Sequence, residues 1–259
     1  MRYIRYKYNN SVEYGILSED NTIQQLNGLP YEYVEHKKTK NSTFLSLGEV
    51  ELLAPCQPGK IIATAINYPG VTGLTEKVSE PLVFIKPSSS VIGHNQTIIS
   101  PFKDTPVWGE YELGIVIGKS LSKATMEEVN KAIFGYTIGN DVSCENVHGW
   151  DHHLARSKGA DTFCVLGPWI DTEYNPSGKQ IKGYHNKTLI RNGYCQERLW
   201  KEPELLVWLS SWITLEPGDV VLTGTPCRVQ DRVYFKEGDI FTCVIEGLGE
   251  LSNSFEFEK

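Results

Sequence analysis

The stretch Trp108-Gly109-Glu110-Tyr111-Glu112-Leu113-Gly114-Ile115-Val116-Ile117-Gly118 organises the chain, answered by Gly139-Asn140-Asp141-Val142-Ser143 after one intervening helical pattern. In an extended backbone, successive side chains point to opposite faces. Glu110, Glu112, Gly114 and Val116 therefore share one face, and Tyr111, Leu113, Ile115 and Ile117 share the other. Two carboxylates two steps apart lie roughly 6–7 Å from each other and repel unless a cation sits between them. The apolar opposite face leaves the strand little freedom to turn them outward. Asp141, just past a later strand end, can supply a third oxygen ligand. Three carboxylates with no His-x-x-x-His or Cys-x-x-Cys nearby suit Mg²⁺ or Mn²⁺ better than Zn²⁺. The same Glu-x-Glu spacing also fits an ordinary solvated strand face, and the letters alone leave both readings open.

At 259 residues, with 40% hydrophobic and 22% charged residues, the chain has the composition of a globular protein with a substantial core. It reads as one large domain, or one domain with a small appendage. A net charge of −7 argues against a nucleic-acid surface, because the longest basic run is only His36-Lys37-Lys38. The six cysteines are scattered singly, like reduced thiols. The first residues lack an apolar signal-like core, and no stretch approaches the ~18 apolar residues of a membrane span. The expectation is a cytoplasmic protein with neither nucleic-acid nor membrane partners.

Residues 1 to about 55 read as short strands and turns, with a solvated polar centre around Tyr33 to Lys40. Lys60 to Ile66 is a short apolar strand running into the turn Asn67-Tyr68-Pro69-Gly70. Pro69 to Pro81 is either a loop over a site or a plain surface connection. Pro81 to Pro87 is a further strand, whose terminal Lys86 could face an anionic ligand but reads more simply as exposed. Ala124 to Ala132 has the spacing of a surface helix, with Met126, Val129 and Ile133 apolar, and Phe134 to Ile138 returns to strand.

Val147 to Lys158 is the densest ionisable cluster. Adjacent His152 and His153 diverge in any regular element and make a poor metal pair. Lys158 is followed by the apolar run Phe163 to Ile170. Partial desolvation there makes it a candidate for stabilising developing negative charge or carrying a proton. Asn192-Gly193 reads as a hairpin turn. Glu202 to Ile213 reads as a helix burying Leu205, Leu206, Leu209 and Trp212. Thr223-Gly224-Thr225-Pro226 follows a strand, where it either brings N–H groups against a carboxylate or simply turns. Val233–Phe235, Ile240–Glu246 and Glu250–Phe255 read as strands. No Gly-rich loop opens a helix, which argues against a nucleotide fold.

Lys60-Ile61-Ile62 with Asn67-Tyr68, Glu110-Tyr111-Glu112-Leu113, Asn140-Asp141-Val142-Ser143, Asp161-Thr162-Phe163-Cys164, Glu216-Pro217-Gly218-Asp219, Thr223-Gly224-Thr225-Pro226 and Ile245-Glu246-Gly247-Leu248-Gly249 occur in order. Together they resemble the fumarylacetoacetate hydrolase family from about Pro58 to Phe255, nearest in kind to its diene-dioate isomerase and decarboxylase members. The resemblance implies a mixed, β-rich α+β fold, with a β-strand-roll catalytic domain over 56–259, a small N-terminal domain over 1–55 and a homodimer. It implies Mg²⁺ or Mn²⁺ held by Glu110, Glu112 and Asp141. Lys158 would lie near the substrate oxygen, and Thr225 and Gly224 would receive a substrate carboxylate, with Asn67 and Tyr68 beside them. The substrate would be a 2-oxo acid whose enolate the metal stabilises.

Three departures shape the expected reaction. The loop Pro69-Gly70-Val71-Thr72-Gly73 lacks the water-activating histidine of family hydrolases and offers only the more distant Glu76. Ser143-Cys144-Glu145-Asn146 replaces the family's Ser-Ala-Arg-Asp, and His148 stands where glutamine is common. Isomerisation or decarboxylation of a 2-oxo or 2-hydroxydienoate dicarboxylate of aromatic-compound catabolism is therefore expected ahead of hydrolysis. His148 serves either as a proton relay or as a structural histidine. The alternatives are an acylpyruvate-type hydrolase, an oxaloacetate decarboxylase and a non-catalytic module that binds 2-oxo acids.

Overall fold

A computed structural model describes residues 1–32, 39–73 and 76–259. The chain runs β1 (Arg2–Tyr8), β2 (Ser11–Leu17), β3 (Thr22–Leu26), β4 (Thr39–Ser46), β5 (Glu51–Leu53), β6 (Ile61–Ala65), β7 (Leu82–Lys86), β8 (Val91–Ile92), β9 (Ile98–Ser100), β10 (Val107–Trp108), β11 (Tyr111–Ile117), α1 (Met126–Ala132), β12 (Ile133–Asp141), β13 (Ser143–Cys144), α2 (Ala155–Gly159), β14 (Cys164–Asp171), β15 (Gln180–His185), β16 (Thr188–Tyr194), α3 (Glu202–Ser210), β17 (Val220–Leu222), β18 (Ile240–Ile245) and β19 (Gly249–Phe257). Strand dominates, giving the expected β-rich α+β class.

The main sheet has the order β4-β3-β2-β1-β14-β12-β11-β17-β6-β7, with β5 on β1 and β8 on β14. The N-terminal strands thus continue the same sheet through β1, whose Arg2 and Tyr3 pair with Asp171 and Ile170 of β14. A second sheet runs β16-β15-β18-β19-β9. The polar segment from Tyr33 lies for the most part outside the described residues. No helix among the described residues is long and apolar enough to cross a membrane.

Central strand β11 is buried along its whole length, and the alternation of its side chains explains how. Tyr111 and Leu113 enter the core against the second sheet, with Phe241 and Phe255. Further along the same face, Ile115 and Ile117 lie under α1 and α3, against Val129, Leu205, Leu206 and Leu209. A fully buried side chain of this kind contributes ~1.5–3 kcal/mol. Thr125 and Glu128 form a capping box that starts α1, satisfying its first free N–H groups. The opposite face of β11 carries Glu112, Gly114 and Val116. A Cβ on Gly114 would lie 3.0 Å from the Thr137 methyl, so glycine lets β12 approach closely.

Three local expectations are corrected. Trp212 is exposed rather than part of the buried stripe, because α3 ends at Ser210 and the chain has left the helical path. Asn192-Gly193 lies inside β16, and the turn is made at Asn186-Lys187, where Asn186 has the positive φ the hairpin requires. Gly193 is instead a close-packing site, since a Cβ there would lie 2.6 Å from Pro226 Cβ. Val233–Phe235 forms no strand; Phe235 is held by one bond from its N–H to Val107 O and by burial among aromatic rings.

Candidate metal centre

The register of β11 on β12 assembles the acidic site. Tyr111 pairs with Asn140, so Glu110 and Asp141 fall opposite one another at the ends of the two strands, joined by Asp141 N–H to Glu110 O at 2.8 Å. Glu112 follows on the face of β11 that carries Gly114. The Asn140 side chain accepts from Glu110 N at 3.0 Å and fixes the start of the strand. One carboxylate oxygen from each of Glu110, Glu112 and Asp141 then lies within 4.8 Å of the others.

Each carboxylate has its own orienting partner. Trp108 Nε1 and Arg191 Nη2 donate to Glu110 Oε1 at 3.3 and 3.4 Å. Gly224 N–H donates to Glu112 Oε2 at 2.6 Å. Lys86 Nζ donates to Asp141 Oδ1 at 2.5 Å and to Val142 O at 3.2 Å. Lys158, brought in by the short helix α2, donates to Asp141 Oδ2 and Ser143 Oγ at 2.5 Å and to Glu110 Oε2 at 3.1 Å.

Burial alone would raise the Glu110 carboxyl; Lys158 and Arg191 overcome it and bring it down to about 2. Glu112 goes the other way. Burial, then the neighbouring Asp141 and Glu110, push its carboxyl well above the ordinary range. Burial would lower the Lys158 ammonium, but Asp141 and Glu110 raise it above its ordinary value. Lys158 is thus held as a cation, suited to meeting negative charge rather than accepting a proton.

The donor set fits a divalent metal. Three hard carboxylate oxygens converge, each oriented from behind, and burial together with two neighbouring anions raises the Glu112 carboxyl, which a further cation would offset. Glu110, Glu112 and Asp141 would be the ligands.

The remaining residues singled out in the sequence are placed as follows. Thr225 is buried at the site's edge, its Oγ1 accepting from Tyr111 N at 3.1 Å, which leaves its hydroxyl proton to donate. Gly224 reaches its position only with φ +86°, and its N–H is used on Glu112. Asn67 presents no free amide. Its Nδ2 donates to Trp200 O and Thr223 O and its Oδ1 accepts from Trp200 N, so it positions backbone. Tyr68 is buried with no hydrogen-bond partner for its hydroxyl among the described residues, an orphan that a ligand or water can satisfy. His148 is exposed, in left-handed backbone, and makes no hydrogen bond among the described residues. Glu76 is exposed in the loop after Tyr68. That loop is tied down at Pro69 O by the Cys227 thiol at 2.9 Å and, further along, by Lys77, stacked 3.9 Å over the Trp200 ring.

Lys86 corrects the sequence reading outright: it is fully buried against Asp141. In β7 the apolar Leu82 and Ile85 are the exposed residues and the lysine is the buried one. The only signal was a lone lysine ending an otherwise apolar strand. Trp108 and Ser143 stand in the two stretches singled out above but carry no role there, and Arg191 has no local sequence signal.

Residues 60–256 match the family model described as fumarylacetoacetate (FAA) hydrolase C-terminal, and residues 1–55 match one described as Rv2993c-like, N-terminal. The chain belongs to the fumarylacetoacetate hydrolase family. The crystal structure of 5-carboxymethyl-2-hydroxymuconate delta-isomerase from Mycobacterium smegmatis superposes with a TM-score of 0.89 at 32% identity, covering all of both chains. The mitochondrial oxaloacetate tautomerase of Xenopus laevis is 35% identical over 82% of this chain and 70% of its own length. Maleylpyruvate hydrolase from Sphingobium sp. SYK-6, solved with manganese(II) and pyruvate, has a TM-score of 0.80 at 25% identity, again over both whole chains. Isomerase, tautomerase and hydrolase thus all occur among this family member's relatives.

Proposed function

We propose that this chain is a divalent-metal-dependent enzyme that moves a proton on a 2-oxo acid or 2-hydroxydienoate, by double-bond migration or keto–enol interconversion, with Mg²⁺ or Mn²⁺ as the metal. The observation that carries the reading is the Lys158 ammonium lodged against Asp141, Ser143 and Glu110, in a triad to which no imidazole is hydrogen-bonded among the described residues. The isomerase and tautomerase relatives support it, as does the relative that holds manganese and pyruvate together.

A divalent cation bound there supplies a Lewis acid that draws electron density towards the substrate's 2-oxo oxygen. Lys158 places a second positive charge beside the developing enolate, while the proton that leaves the substrate carbon passes to solvent water and is replaced from it. The Thr225 hydroxyl, aimed by its bond from Tyr111 N, donates to the substrate carboxylate. Asn67 and Gly224 keep the Thr223 to Pro226 loop in register with Glu112. Among the described residues no imidazole is hydrogen-bonded to the triad, and Lys158 is held protonated, so neither group serves there as a base for activating water.

Proton NMR in D₂O with oxaloacetate, an acylpyruvate and a 2-hydroxydienedioate tests this, with Mn²⁺ or Mg²⁺ and with chelator. Metal-dependent deuterium incorporation or double-bond migration without cleavage is expected. Lys158→Met should lower that rate by about 10² or more while Mn²⁺ still binds. Cleaved acid as the first product would replace the proposal with a hydrolase, and silence across the panel would replace it with a binding module.

A further inference from the structure

Outside the acidic triad, the charge of the site reverses. Glu110 is bracketed by Arg191 and by the indole N–H of Trp108, and each of these carries a further arginine on its outer side. Arg228 forms an isolated antiparallel bridge with Arg191, reinforced by Val229 N–H to Ile190 O at 3.0 Å. Residues directly opposite in such a bridge project to the same side, and like charges so placed destabilise the pairing. Arg232 lies 4.2 Å above the Trp108 ring, the same ring whose Nε1 reaches Glu110 at 3.3 Å.

These three arginines are unequally satisfied. Arg191 is buried and committed to Pro226 O at 2.6 Å and Glu110 at 3.4 Å. Arg232 shares Glu145 at 3.4 Å with the Tyr234 hydroxyl. Arg228 is exposed and has no ion pair or hydrogen bond among the described residues. Three residues beyond Thr225 and opposite a buried arginine, Arg228 thus has no counter-ion among the described residues, while Arg232 beside it has only the shared Glu145.

We propose that Arg228 and Arg232 form a cationic subsite at the mouth of the acidic centre, which receives the far carboxylate of a dicarboxylic 2-oxo acid and so sets substrate specificity. The assignment rests on the function proposed above for its near end, where the 2-oxo acid group sits. Arg232 is tied to Glu110 through the Trp108 ring, 4.2 Å below its guanidinium and 3.3 Å from Glu110 through Nε1. Arg228 donates to the carboxylate from the solvent side, and Arg232 is held in place by Trp108 and Glu145.

The test compares two non-enolising probes differing only in that carboxylate, N-oxalylglycine and N-ethyloxamate, titrated by calorimetry into the Mn²⁺-loaded protein. The wild type should bind N-oxalylglycine about tenfold or more tighter, with the gap shrinking as salt rises. In Arg228→Gln/Arg232→Gln the gap should fall to about twofold or less through loss of N-oxalylglycine affinity alone, and Arg228→Lys should restore part of it. No gap in the wild type, or the same gap in the double variant, overturns the proposal. Deuterium exchange on oxaloacetate is read separately. A gap that collapses in the variant while the wild type exchanges no proton supports the subsite and refutes only the catalytic reading. Exchange without a gap does the reverse.

Discussion

Replacing Lys86 with methionine should isolate the charge that the fold buries behind the acidic centre. The Lys86 side chain is fully buried, its ammonium 2.5 Å from Asp141 Oδ1, and Asp141 is 1% exposed, so neither partner can turn to water. Methionine keeps most of the stem's volume and removes the charge, so little of the loss should come from packing. Breaking a buried pair from one side typically costs ~3–5 kcal/mol. Asp141 keeps Lys158 on its other oxygen, which places the expected loss at the lower end, about 3 kcal/mol. For a chain of this size that corresponds to a fall in Tm of roughly 6–12 °C. Urea and thermal unfolding of the metal-free protein measure it, with an unchanged m-value showing that the native state stays compact. Adding Asp141→Asn should recover part of the loss, because the stranded carboxylate is then neutral. A loss below about 1 kcal/mol in Lys86→Met would refute the reasoning, since it would mean that Asp141 does not depend on this lysine.

Glu112→Gln should leave metal-free stability within about 1 kcal/mol of wild type, because burial and its two acidic neighbours already disfavour the charged carboxylate that the substitution removes. Its Mn²⁺ affinity, followed by calorimetry or by the metal-induced gain in Tm, should fall by about tenfold or more. Gly224→Ala forces a side chain into backbone at φ +86° with its Cβ 2.9 Å from Asn67 Cβ and 3.2 Å from Thr64 O. A loss of roughly 1–3 kcal/mol is expected on unfolding, together with weaker metal binding, because the N–H on Glu112 must move. Asp151 accepts from Arg156 N at 3.1 Å, from Ser157 N at 2.6 Å and from the Ser157 hydroxyl, and so anchors the helix that carries Lys158. Burial would raise its carboxyl, but the Ser157 hydroxyl and the two N–H groups hold it below its ordinary value. Its contribution is therefore present above the unfolded carboxyl value and is lost as pH falls, from about 5 downward. Unfolding measured against pH should show Asp151→Asn less stable at neutral pH and its acid-side slope shallower than that of wild type.

The acidic triad was legible because its information is local. Strand alternation fixes Glu110 and Glu112 on one face from spacing alone, and Asp141 announces itself at a strand end. Neither the pairing of the two strands nor the register that puts Glu110 opposite Asp141 can be read from those spacings. Most strands of the main sheet were equally readable, being short apolar runs closed by turn residues. The hairpin was misplaced because Asn-Gly is a turn signal only where the chain has room to turn. At residues 192–193 the glycine is needed to clear Pro226, and the real turn used a weaker signal at Asn186. Trp212 failed as a core residue because helical periodicity does not show where the helix stops.

Legible in the sequence were the β-rich class, the family resemblance, the shared face of Glu110 and Glu112, and Asp141 and Lys158 as candidates. Each of these depends on residue type and on spacings of a few positions, which backbone geometry turns directly into faces and turns. Only the tertiary structure decided that Lys86 stands behind Asp141, that Asn67 supports the Thr223 loop, and that Arg191, Arg228 and Arg232 gather beside Glu110. Those pairings join residues 55 to 156 positions apart. At such separations the partner of a charge is set by strand register and by the packing of one sheet against another, neither of which leaves a trace in the residues next to it.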